Sequence, residues 1–306
     1  MRGDKLGTHC WVWDNDECCD GSKGTNMVAD DRKSQNITNQ TVSSCPICVA
    51  VASHKPYRMP KDPMYMPLQV GKALHPEVDL GFQNDATGKN ISFLNASYSE
   101  LTALYWLWKN CNAEYKGLTH YRRHFASLHA HHDFGDKFER IIGVEETKQL
   151  LKSVDIIVPR KRVYYIETMY SHYIHTFSSE HLDVTRHVIE ESQSRYLTAF
   201  DEVMQSRSAH MFNMFIMKQD KFDEYCSWLF PILEEMSKHI DSSQYDAFNA
   251  RYPGRISELL LDVWLKTKKY RYNELPVMST EPVNWWKKGT GFLLAKWVGR
   301  KYSASF

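Results

Sequence analysis

The sequence predicts an α/β fold: a single domain with a mainly parallel central sheet flanked by helices, plus C-terminal helices. Two observations predict the sheet. Residues 47–53 (ICVAVAS) and 154–159 (VDIIVP) are predominantly apolar runs of strand length, as in strands buried on both faces. The third observation is that helical-length segments separate such runs across residues 47–275. No Gly-rich phosphate loop, G-x-G-x-x-G or G-x-S-x-G is present, which weakens kinase, dinucleotide-dependent and α/β-hydrolase readings.

Residues 1–46 are polar and rich in Asp, Ser, Asn and Thr without periodicity, so they are expected to form a flexible extension that cannot bury a core. The first strand, 47–53, ends in Ser53-His54-Lys55, a loop at a carboxyl strand end, where open α/β folds meet their ligands. Residues 70–74 suit a second short element. The stretch 84–92 (NDATGKNIS) is a loop dense in hydrogen-bonding side chains, including Asp85, Thr87 and Asn90. Ser97-x-x-Glu100 reads as a capping box opening a helix over 98–110, with Leu101, Leu104, Tyr105 and Trp108 at helical spacing.

Residues 116–121 form the next strand and 154–159 another, stopped by Pro159. The section 164–187 is rich in Tyr and His. Tyr170, His172 and His175 suit a substrate-facing helical surface, the acceptor side of the site; the weaker alternative is metal ligation, for which an i, i+4 pair would be the better signal. Helices are expected over 183–200, 220–239 and 255–265. Between the first two, 211–217 reads as a strand with Asn213 its lone polar residue, either hydrogen-bonded core or aimed into a site. Glu258 and Asp262 stand at i, i+4, where like charges repel, so they form a solvated face or one of them is held for chemistry. Residues 276–306 interleave Lys and Arg with Trp and Leu, which fits a helix on an anionic membrane surface or a docked terminal helix.

Lys and Arg number 38 against 37 Asp and Glu, so bulk charge offers nothing to nucleic acid. No apolar run reaches the roughly 18 residues of a bilayer span, and the expected location is cytoplasmic, peripheral at the inner membrane face. Of the seven cysteines, Cys10, Cys18, Cys19, Cys45 and Cys48 crowd the first 48 residues. Their spacing departs from zinc-site patterns, and Cys45-x-x-Cys48 leads into a strand rather than a helix, so incidental reduced thiols are the expectation.

The chain is organised around residues 115–125, YKGLTHYRRHF, where a strand runs into His120-Tyr121-Arg122-Arg123. Two guanidiniums at a carboxyl strand end suit phosphate; the plain alternative is a surface arginine pair.

Six stretches, 47–60 (ICVAVASHKPYRMP), 84–92, 98–110 (YSELTALYWLWKN), 117–125 (GLTHYRRHF), 212–217 (FNMFIM) and 255–264 (RISELLLDVW), fall in the order of one family. Over roughly residues 47–270 the chain resembles the family long labelled a domain of unknown function, found in capsular and exopolysaccharide gene clusters and now classed with glycosyltransferases. The resemblance implies a GT-A-like fold over 47–275. It also implies sugar transfer from a nucleotide-sugar donor, with UDP the expected carrier and galactofuranose among the candidates, to a polysaccharide or lipid-linked glycan. Asn84 and Lys89 stand where the family commonly has acids.

Many GT-A enzymes hold a divalent cation with Asp-x-Asp at a central strand end; here that place carries His120-Tyr121-Arg122-Arg123 and no carboxylate. No cofactor is expected, and Mn or Mg is not favoured. Arg122 and Arg123 are the expected catalytic cations for the leaving diphosphate, with Glu258 as the base and Asp262 or His172 in reserve. Ser53, His54, Lys55, Asp85, Thr87, Asn90, His120, Tyr121 and Asn213 are the expected donor-binding residues. The alternatives are a non-catalytic carbohydrate-binding or assembly protein and a sugar phosphotransferase.

Overall fold

The computed structural model describes residues 45–129 and 135–281. The N-terminal extension with Cys10, Cys18 and Cys19, and the Trp-rich part of the C-terminal segment, lie outside the described residues.

In chain order the elements are β1 (Ile47–Ser53), β2 (Tyr65–Gln69), β3 (Gln83–Asn84), α1 (Asn95–Tyr98), α2 (Leu101–Asn110), β4 (Tyr115–His120) and β5 (Arg123–Phe125). Then come α3 (Val144–Leu151), β6 (Ile156–Pro159), β7 (Arg162–Val163), α4 (Met169–Ile174), α5 (Glu180–Gln193), α6 (Leu197–Gln205) and β8 (Ser208–Ala209). The run closes with β9 (Phe215–Lys218), α7 (Gln219–His239), α8 (Tyr252–Lys268), β10 (Asn273–Leu275) and β11 (Val277–Ser279).

The central sheet has the order β10-β6-β9-β4-β1-β2-β3. It is mainly parallel, as expected; β9 runs against both β4 and β6. Every residue of β1 is buried, because both faces of the sheet are covered. Cys48, Ala50 and Ala52 pack into the core built with α2 and α5 to α8, while Ile47, Val49 and Val51 pack with Ile142, Leu151 and Ile216 on the other face. The same two-residue period splits the Cys45-x-x-Cys48 pair: Cys45 packs with the second face and Cys48 with the first, where the Cys48 thiol is hydrogen-bonded with Cys111.

β4 and β9 approach closely at Gly117, where an added Cβ would lie 2.7 Å from the Phe215 carbonyl oxygen.

Five expectations are corrected. The second element is Tyr65–Gln69 rather than 70–74; β3 pairs with Leu68 and Gln69 and stops short of Pro67, whose missing N–H would break a ladder bond. The helix over 98–110 is interrupted at Ser99 (φ 51), so Ser97 and Glu100 form no capping box. Asn95 Nδ2 holds the Ser99 carbonyl at 2.7 Å, and Arg251 Nε holds its hydroxyl at 2.8 Å, a contact made from across the fold. The helix over 183–200 is two helices, parted by a turn that buries Tyr196 against Trp228. The strand over 211–217 starts only at Phe215, because Phe212 and Asn213 are left-handed (φ 82 and 50). The sheet also continues past residue 275, with β11 paired to β5.

Candidate functional site

Strand register assembles the site. Ser53 lies opposite Gln69, Gln69 opposite Asn84, and Ala52 opposite His120, so the carboxyl ends of β1, β2, β3 and β4 form one edge. The loops leaving it carry Ser53 to Lys55, Asp85 to Asn90 and His120 to Arg123.

Tyr121 is the floor of this edge. It is buried, with His54, Tyr57 and His120 rings at 5.5, 4.9 and 4.3 Å. Lys55 Nζ and the Arg122 guanidinium stand 5.1 and 5.3 Å from its ring centre, so the ring supports two cations. Ser53 Oγ donates to the Lys55 carbonyl at 2.7 Å and thereby shapes the turn. Arg122 is half-buried; one guanidinium nitrogen lies 3.7 Å from Glu281, while its buried Nε has no partner.

The second wall is the left-handed turn at Phe212-Asn213. The Phe212 ring lies 4.7 Å beneath the Arg123 guanidinium, and its N–H donates to the Glu258 carboxylate. Asn213 Nδ2 donates to Glu100 (2.8 Å) and to the Gly254 carbonyl (3.0 Å), while Ser257 Oγ donates to Asn213 Oδ1 (2.8 Å). Two non-glycine residues in this conformation cost on the order of 1–3 kcal/mol each. The bonds around them hold the turn and join α2 to the first turn of α8. Asn213 is therefore hydrogen-bonded core, and its amide is fully used.

That first turn of α8 supplies Arg255, which lies 3.8 Å from Glu258 and above the Phe177 ring at 5.7 Å. Glu258 is buried. Burial raises its carboxyl above the usual range, Arg255 opposes the rise, Glu100 adds to it, and Arg123 opposes it. Burial and the Arg122 charge work against the charge on Arg123, while Glu258 and Glu100 support it. Burial, then Arg122 and Arg123, with further contributions from His54 and Arg251, push the His120 imidazole down to about 2, so it is neutral. The edge is thus a dense positive cluster with carboxylates set behind it.

Other expected residues are occupied elsewhere. Asp85 is fully buried: its carboxylate accepts from Gly71 N (2.9 Å), Lys72 N (3.2 Å), Ser92 Oγ (2.5 Å) and Thr102 Oγ1 (2.6 Å). Thr87 accepts from Trp106 Nε1 at 3.0 Å, and Asn90 Nδ2 donates to Ala86 and Gly88 carbonyls. The loop over 84–92 therefore spends these side chains on itself, on α2 and on the backbone of Gly71 and Lys72. Asp262 is buried rather than solvated, and takes His210 N (2.7 Å), His210 Nδ1 (2.8 Å) and Lys161 (3.2 Å). Neither Glu258 nor Asp262 forms a solvated face; each carboxylate has its own cationic neighbour.

His172 and His175 lie at and just beyond the end of α4 and share one carboxylate, Glu167, each at 3.0 Å; Tyr170 packs partly into the core. Among the described residues no group of three or more His, Cys, Asp or Glu is arranged to hold a metal ion. The Tyr164 ring lies 4.0 Å from that of His172, tilted by 39°, and feels the charges of Arg162, Glu258 and Arg255, which places α4 beside the Glu258 side of the site. The residues missed by sequence reasoning are Glu100, Phe212, Arg251 and Arg255. Arg255 carried a usable signal, one helical turn before Glu258; Glu100, read only as a capping residue, did not.

A family model described as a domain of unknown function (DUF4422) matches residues 48–269. Among solved structures, the chain is similar to the apo structure of the WbbM bifunctional glycosyltransferase, with 28% identity and a TM-score of 0.72. The likeness covers 77% of this chain and 45% of that one, so the chain spans less than half the length of that protein. No curated protein matches the sequence at a significant level.

Proposed function

The chain belongs to the DUF4422 family, and from that premise we propose that it is a glycosyltransferase moving a sugar from a nucleotide-sugar donor to a cell-surface glycan. The observation that carries this reading is the juxtaposition of Arg123 and Arg255 with the buried carboxylate of Glu258, with Arg122 beside Arg123 at the carboxyl edge of the sheet. The likeness to a bifunctional glycosyltransferase supports it.

In the proposed reaction the bond from the anomeric carbon to the diphosphate breaks as an acceptor hydroxyl attacks from the opposite face, inverting the centre. Arg122 and Arg123 take up the charge developing on the diphosphate, the role a divalent cation fills elsewhere, so transfer proceeds without one. Glu258 accepts the acceptor proton. Its environment, raised by burial and opposed by Arg255, suits a base that must be ionised before attack and protonated after it. UDP is the proposed carrier and galactofuranose the first donor to try, both on the family resemblance.

Titration with UDP in EDTA, repeated with Mn²⁺, tests the donor half. The expected result is equal binding in both buffers, weakened roughly 10- to 100-fold in Arg122→Ala, as for loss of a charge-assisted hydrogen bond. Binding only with Mn²⁺ overturns the cation-independent site. Acceptor-dependent release of UDP separates transfer from a non-catalytic carbohydrate-binding role.

A further inference from the structure

After β6 the chain leaves the main sheet as a narrow ribbon, in which Arg162 and Val163 of β7 lie opposite Ala209 and Ser208 of β8. It then turns at Tyr165 with φ 49, a conformation that bulky residues seldom adopt. The tip exposes three large apolar side chains: Val163 at 49%, Tyr165 at 78% and Ile166 at 58%. They are half of the large apolar residues exposed among the described residues, gathered within four positions.

The tip is braced. Tyr164 N donates to the Arg207 carbonyl (2.8 Å), Arg207 Nη1 donates to the Tyr165 carbonyl (3.2 Å), and Met169 N donates to Ser206 (2.8 Å). Tyr164 itself is buried against His172, so its neighbours are held outwards.

Its charge is positive. Arg160, Arg162 and Arg207 are exposed around the tip, whereas Lys161 turns inwards to Asp262. The next carboxylate along the chain, Glu167, is 14% exposed and engaged by His172 and His175, and Glu202, which lies beside Lys161, Ser206 and Ser208, is paired with Lys266. Exposed aliphatic side chains and an amphipathic tyrosine, ringed by arginines, match the boundary between headgroups and acyl chains of an anionic bilayer. A sugar ring would use Tyr165 but gives Val163, Ile166 and three arginines nothing to bind.

We propose that the ribbon tip at Arg160–Ile166 is a membrane anchor that sets Val163, Tyr165 and Ile166 into an anionic lipid surface. The inference stands on the tip alone and is separate from the region beyond residue 281. If the transferase reading also holds, the tip brings the Glu258 side of the site to the surface where a lipid-linked glycan would lie.

The test is hydrogen exchange and flotation of the full chain with vesicles of phosphatidylglycerol and phosphatidylcholine, against phosphatidylcholine alone. Expected are protection of residues 162–167 only with the anionic vesicles, and partitioning roughly tenfold weaker when Val163, Tyr165 and Ile166 are together replaced by Ser. Arg160→Glu with Arg162→Glu is expected to weaken it by more than about fivefold. UDP binding should be unchanged in these variants, which reads the donor site separately. Flotation without protection of 162–167, wild-type partitioning of the triple variant, or protection by a soluble oligosaccharide instead of vesicles would each overturn the anchor.

Discussion

Asn213 Nδ2 donates to Glu100 at 2.8 Å across 113 residues of sequence, and the same Nδ2 also donates to the Gly254 carbonyl. This single side chain ties the start of α2 to the start of α8 and fixes a second carboxylate near Glu258. The electrostatics of this edge therefore rest on tertiary contacts as much as on the arginine pair.

Glu258→Gln is expected to lower turnover about 10²- to 10⁴-fold while leaving UDP affinity near wild type, as for loss of a general base. Because burial raises the folded-state carboxyl, the rate should rise with pH through a value above the ordinary carboxylate range. Removing the opposing charge in Arg255→Met should move that rise to still higher pH. A flat profile, or full turnover in Glu258→Gln, removes the assignment.

Stability should respond to the same group in a defined direction. A carboxyl raised on folding favours the folded state below its unfolded pKa and loses that contribution as pH rises through the folded value. Glu258→Gln should accordingly melt higher than wild type at neutral pH, measured by calorimetry, even as it loses activity.

His120 behaves in the opposite sense. Its folded value is depressed to about 2 from 6.5, so its contribution is present above pH 6.5 and is lost progressively as pH falls below that. Urea titrations between pH 7 and pH 4 should show a loss on the order of 1 kcal/mol per pH unit, and His120→Asn should flatten that slope. An unchanged slope in the variant would assign the acid sensitivity elsewhere.

Asp85→Ala should be among the most damaging single changes in the 84–92 loop. It strands two backbone N–H groups and two hydroxyls in a buried site, at a cost on the order of 3 kcal/mol or more. Thermal melts of Asp85→Ala beside the exposed control Lys89→Ala check this; equal melting points would contradict the structural role.

Gly117→Ala is expected to destabilise by about 1–3 kcal/mol, because the added Cβ meets the Phe215 backbone at 2.7 Å rather than a side chain that can swing away. Chemical denaturation measures it directly.

Much of the frame was legible because its signals are local. An apolar run of strand length such as Ile47–Ser53 can only be buried on both faces, and α7 and α8 announce themselves by periodicity. The kink at Ser99 and the turn at Phe212-Asn213 were not legible. Neither carries glycine or proline, and each is held by at least one side chain more than 40 residues away. Asp85 shows the same limit: a polar loop in sequence can face a ligand or anchor itself, and only its four donors decide.

By itself, then, the sequence determined a mainly parallel α/β sheet, a strand that leads into the Arg122-Arg123 pair, and a carboxylate-bearing helix, since strand length, period and residue type are properties of neighbours along the chain. Tertiary structure alone decided that Arg255 and Glu100 join Glu258, that Asp262 is taken by His210 and Lys161, and that Tyr121 lies beneath the cations. Those outcomes depend on register and helix packing, which bring side chains from β4, α2 and α8 to one edge and there set which charges are buried together.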